Sequence, residues 1–99
     1  MEKLWRNLRK LKRDFPLNRV VSVRTYTVLT DSDGNRLYGC MDKINEEFKI
    51  CLLRHDDVSI MIDTLWHEWT HALLWPRCRF RHSKQFWQTY GKIYALYQD

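Results

Sequence analysis

No apolar run in this 99-residue sequence approaches the roughly 20 residues needed to cross a bilayer. The opening Met1-Glu2-Lys3-Leu4-Trp5-Arg6 leads into more charge instead of the apolar stretch of a signal peptide. We therefore expect no membrane partner and an intracellular, cytoplasmic protein, with association with the nucleoid left open by the basic charge. Cysteine is scarce: Cys40, Cys51 and Cys78 lie far apart and form no C-x-x-C pair. That spacing disfavours both a disulfide framework and a cysteine-built zinc site, and suggests three buried thiols. With three glycines and two prolines there is no low-complexity linker, and no internal repeat is visible. The length suffices for one core and is too short for two, so residues 1–99 are read as a single domain.

What the chain does contain is bulk and positive charge. Five Trp, five Tyr and four Phe can fill a compact interior, and 17 Lys+Arg against 12 Asp+Glu leave a formal charge of +5. Such a balance favours anionic partners without identifying one. Residues 2–14 place Leu4, Leu8, Leu11 and Phe15 at helical spacing, with Lys3, Arg6, Arg9, Lys10, Lys12 and Arg13 mostly on the other faces. The helix stops at Pro16. Its cations are either an ordinary solvated face or a surface for nucleic acid or a membrane.

Val21, Val23, Thr25 and Thr27 alternate as in a half-buried strand, and Asp31-Ser32-Asp33-Gly34-Asn35 is a turn signal. Residues 36–41 would return as the second strand of a hairpin, and Phe48–Leu53 would form a third. Residues 54–57 supply capping groups for a helix over 59–75 that ends before Pro76. Ser83 then caps a last helix carrying Phe86, Tyr90, Ile93 and Tyr97 at helical intervals. The expected fold is α+β: an N-terminal helix, a small three-stranded antiparallel sheet, a central helix and a C-terminal helix packed on it.

The central helix contains His67-Glu68-Trp69-Thr70-His71. Positions i and i+4 share a helix face, so both imidazoles can reach one metal ion with Glu68 beside them. Catalytic zinc takes three protein ligands and keeps a fourth position for water, which calls for one more donor. His82, at the start of the last helix and followed by Phe86 and Trp87 to anchor it in the core, is the candidate; His55 lies about three turns before His67 and reads as a surface or capping residue. Asp63, one turn before His67, is either a carboxylate orienting an imidazole or a helix-surface acid. Tyr90, two turns beyond His82, is a candidate donor to a developing oxyanion, and Arg77, Arg79 and Arg81 could bind anions. Trp66, Trp69 and Trp75 are assigned to packing.

The stretch His67 to Trp75, followed by His82-Ser83-Lys84-Gln85-Phe86-Trp87, resembles the SprT (Spartan-like) family of zinc metallopeptidases, minimal zincins of the HExxH…H type. Tyr38-Gly39-Cys40 is similar to the glycine-cysteine strand that precedes the metal helix in those domains. The resemblance spans roughly residues 38–97, and the earlier part only by layout. It implies one zinc ion held by His67, His71 and His82, with Glu68 as catalytic base in the hydrolysis of a protein or peptide substrate. The 99 residues contain neither a zinc ribbon nor the recruitment motifs of larger Spartan proteins, so action on DNA-associated proteins, with DNA held on the basic surface, is an expectation resting on charge. The alternative is a non-catalytic module stabilised by zinc that binds nucleic acid or protein, for which Cys78 could close the coordination sphere.

Overall fold

The computed structural model describes residues 1–77 and 82–98. Its first element, α1 (Glu2–Asp14), forms where the sequence pattern places it: Leu4 and Leu11 are fully buried, and Leu8 and Phe15 pack beside them. Each buried leucine contributes on the order of 2 kcal/mol through apolar area removed from water. The helix ends before Pro16, and the Trp69 indole N–H donates to the Phe15 carbonyl at 2.9 Å. That bond satisfies a helix-end acceptor and ties the end of α1 to the central helix.

Three strands follow, β1 (Val20–Tyr26), β2 (Gly39–Ile44) and β3 (Glu47–Leu53), in the spatial order β1-β3-β2. The sheet is mixed instead of antiparallel throughout: β1 runs parallel to β3, and β2 antiparallel to it. The Asp-Gly turn does form. The Asp31 carboxylate accepts from the backbone N–H of Asp33 and Asn35, Gly34 takes φ 84°, and Thr30 bridges Arg36. Yet the hairpin it starts does not continue, because β3 lies between its two arms. The reason is burial: Phe48, Ile50, Leu52 and Leu53 are all buried, so β3 is the strand with most to gain from the centre of the sheet. Its true hairpin partner is β2, joined through the short Asn45-Glu46 turn with Asn45 at φ 56°, a conformation asparagine tolerates. The strand expected at 36–41 is consequently shifted to Gly39–Ile44.

Helix α2 (Val58–Leu73) starts at Asp57, whose carboxylate accepts from the Ser59 N–H at 3.0 Å. It ends two residues earlier than expected from Pro76, in agreement with the restriction a proline places on the residue before it. Met61, Leu65 and Trp69 are nearly or fully buried as α2 packs against α1, α3, β2 and β3. Helix α3 (Lys84–Tyr97) is capped by Ser83, whose hydroxyl accepts from the Phe86 N–H at 3.3 Å. Among the described residues, three helices around one small sheet make the fold α+β, with α2 at its centre.

Two expectations about side chains are corrected. Cys40 and Cys51 are half-buried instead of buried and sit opposite each other across β2 and β3. Trp87 does not anchor α3 in the core; it is exposed, while Phe86 is fully buried. Trp66 and Trp69 are buried and Trp75 half-buried against Phe48, as packing requires. Cys78, Arg79 and Arg81 lie outside the described residues. Among those described, no helix is long and apolar enough to cross a membrane.

Candidate metal centre

The helical period of α2 puts His67 and His71 on one face, their rings 5.0 Å apart. The cap at Ser83 starts α3 so that His82 comes back over that face, with its ring 4.6 Å from His67 and 5.2 Å from His71. One nitrogen from each of the three rings lies within 4.8 Å of the others, so His67, His71 and His82 are close enough to hold a metal ion. The Nε2 atoms of His71 and His82 are 3.3 Å apart. Two nitrogens on a tetrahedral zinc, each about 2.05 Å from the ion, stand about 3.3 Å from one another. The closest pair is thus already at ligation distance, and the donor set of three imidazoles fits zinc.

The protonation state agrees with that fit. Burial, then the neighbouring His71 and His82, lower the His67 pKa to about 4, so its ring is neutral at neutral pH, as a ligand must be. Phe86 forms a common wall behind the cluster, its ring 5.0, 4.7 and 4.6 Å from His67, His71 and His82. The sequence places Phe86 one helical turn after His82, and that spacing is the signal for its position under the site.

Glu68 is only 7% exposed and interacts electrostatically with Cys40 of β2. Burial, with a smaller contribution from the Asp42 carboxylate, raises its pKa to about 7. The approach of β2 is what encloses it. A Cβ placed on Gly39 would come within 2.5 Å of Thr64 Cγ2 and 3.0 Å of the Cys51 carbonyl, so only glycine lets the strand lie this close to α2. A cleft of about 280 Å³ opens here, lined by Tyr38, Gly39, Asp63, Thr64, His67 and Glu68. Asp42 and Gly39 are contributors the motif alone did not reveal, because both arrive from a strand more than twenty residues away in sequence.

The remaining expected residues divide. Asp63 and Tyr90 come together: the Tyr90 hydroxyl donates to the Asp63 carboxylate, and the Tyr90 ring lies 6.4 Å from His67. Burial and this acidic neighbour raise the Tyr90 pKa, so the phenol keeps its proton. Asp63 therefore takes its hydrogen bond from a phenol and acts on His67 through charge. His55 is exposed, the surface position expected of it, and its Nδ1 accepts from the N–H of Asp57, the residue that caps α2, at 2.9 Å. Arg77 is exposed beyond the end of α2. Compared with family models, curated proteins and solved structures, the chain matches none.

Proposed function

We propose that this protein is a zinc-dependent endopeptidase of SprT-like type, with His67, His71 and His82 as the metal ligands and Glu68 as the catalytic base. The observation that carries the reading is the convergence of three imidazoles from two helices, with a buried carboxylate one residue from the first of them. Three imidazole ligands are the number that a catalytic zinc site takes from the protein, with the fourth position kept for water. When bound, zinc supplies Lewis-acid activation of water and of the scissile carbonyl.

The protein's own groups account for the proton movements. A carboxylate with a pKa of about 7 is matched to general acid–base work near neutral pH. Glu68 takes a proton from the attacking water on a carboxylate oxygen and delivers it to the nitrogen of the leaving amine. Tyr90 keeps its proton, and in this reading exchanges its bond to the cleft residue Asp63 for one to the carbonyl oxygen as negative charge develops there. The cleft along Tyr38 and Gly39 is where an extended substrate reaches Glu68.

Digestion of unfolded casein by zinc-loaded protein tests the reading. Glu68→Gln should lower the rate at least about a hundredfold while leaving metal binding in place. Equal rates for the two proteins would remove the catalytic assignment. Cys78→Ser decides between this and a closed structural zinc site: unchanged metal affinity argues against a thiolate ligand.

A further inference from the structure

The basic stripe of α1 has no part in the histidine site, but it borders a cavity of about 320 Å³ between α1, α2 and the end of α3. Lys3, Arg6 and Lys10, spaced at helical intervals on one face, stand at this cavity, and Trp66, Tyr94 and Tyr97 supply aromatic walls. Among the described residues no carboxylate lines it. Arg6 reaches Glu2 only at 3.5 Å on an exposed surface, and the Lys10 ammonium lies over the Tyr97 ring at 5.8 Å. Lys10 also feels the Asp14 carboxylate and Lys3 that of Asp57, and these exposed, solvent-screened interactions are ones that a bound phosphate can displace.

A second, independent feature lies in the wall. The Trp66 indole Nε1 is buried and has no hydrogen-bond partner, although Trp66 is only 7% exposed overall. Buried donors are nearly always satisfied, and Trp66 is one of the residues that line the cavity, so its unpaired N–H is a donor that a ligand entering there can use. Tyr94 packs edge-on against Trp66 at 5.9 Å and is 42% exposed.

We propose that this cavity binds a single nucleoside phosphate, its base held against Trp66, Tyr94 and Tyr97 and its phosphate by Lys3, Arg6 and Lys10. A heteroaromatic base provides both a ring to stack and an acceptor atom for the Trp66 N–H. Three cations, with no carboxylate among the described lining residues, suit a phosphate carrying close to two negative charges better than a lone carboxylate. The volume is near the lower end of ligand pockets, about 300 Å³, and so accommodates one nucleotide. The site shares no residue with the histidine centre, and binding at one is measured without reference to the other.

Calorimetric titration of the full-length protein with adenosine 5′-monophosphate, adenosine and inorganic phosphate tests both halves of the site. The nucleotide should bind one to one, with adenosine and phosphate each at least about tenfold weaker. Lys3→Ala/Arg6→Ala/Lys10→Ala, all on the surface of α1, should weaken the nucleotide at least about tenfold and leave adenosine unchanged. In amide NMR spectra the nucleotide should shift the Trp66 indole N–H downfield, the signal being identified by its loss in Trp66→Phe. No binding of the nucleotide, affinity equal to that of inorganic phosphate, or affinity unaffected by the triple substitution would overturn the proposal. The surface variant decides the matter even where Trp66→Phe fails to fold.

Discussion

Gly39→Ala should destabilise the protein by about 2–3 kcal/mol, far more than one added methyl group would at an open site. The new Cβ would stand 2.5 Å from Thr64 Cγ2, inside the roughly 3.5–4.0 Å of an ordinary carbon contact by at least about an ångström. Thr64 cannot simply rotate, because its hydroxyl donates to the Ile60 carbonyl at 2.8 Å, and losing that bond costs about 1 kcal/mol. The Cys51 carbonyl at 3.0 Å is backbone and held in the β3 ladder, so β2 must move away from α2. Urea unfolding at constant slope measures the loss, and a thermal midpoint lower by about 10–20 °C should accompany it. Thr64→Ser keeps the hydroxyl and removes the clashing methyl. On that background the alanine penalty should fall by about 1 kcal/mol, leaving the part due to the Cys51 carbonyl. A penalty below about 0.5 kcal/mol, or one identical on both backgrounds, would refute the account of how β2 is held against the helix.

Other consequences concern the site and its supports. His82→Ala should weaken zinc affinity at least about a hundredfold in competition with a chromophoric chelator, whereas His55→Ala should leave it unchanged; equal effects would mean that His82 is no ligand. In zinc-free protein, Glu68 titrates near pH 7 when folded and near 4.5 when unfolded, so the folded state binds more protons between those values and loses stability as pH rises through about 7. Glu68→Gln should accordingly gain stability over the parent at pH 8, by at most about 3 kcal/mol, and the gain should shrink as pH falls toward 4.5. A gain independent of pH would show that the carboxylate is not held neutral by burial. Trp69→Phe removes the indole donor to Phe15 and leaves both a cavity and an unpaired carbonyl, a loss of about 2–4 kcal/mol in chemical unfolding. A loss under about 1 kcal/mol would mean that the bond between α1 and α2 contributes little.

The helices and the histidine ligand candidates were legible because they depend on local periodicity. Leu4, Leu8 and Leu11 share a face at any helix end, and so do His67 and His71, whatever else the chain does. Capping is equally local, so Asp57 and Ser83 mark their helices from the sequence alone. The order of the strands was not legible. An Asp-Gly turn favours pairing of the segments it joins, and the turn forms, but burying Phe48, Ile50 and Leu52 outweighs continuing that hairpin. Competition of this kind is decided by total apolar area, which no short stretch of sequence contains.

The same division runs through the candidate centre. The His67-Glu68-Trp69-Thr70-His71 spacing by itself determined that two imidazoles share a face, and the Ser83 cap that a helix starts beside a third histidine. Only the tertiary structure decided that His82 comes within 3.3 Å of His71, that Phe86 backs all three rings, and that Gly39 lets β2 close over Glu68. It also paired Tyr90 with Asp63 and left the Trp66 N–H without an acceptor beside a basic cavity. The physical reason is range: helix period and capping act over a few residues, whereas burial, which raises the Glu68 pKa and enclosed that cavity, depends on segments that meet only when the whole chain has folded.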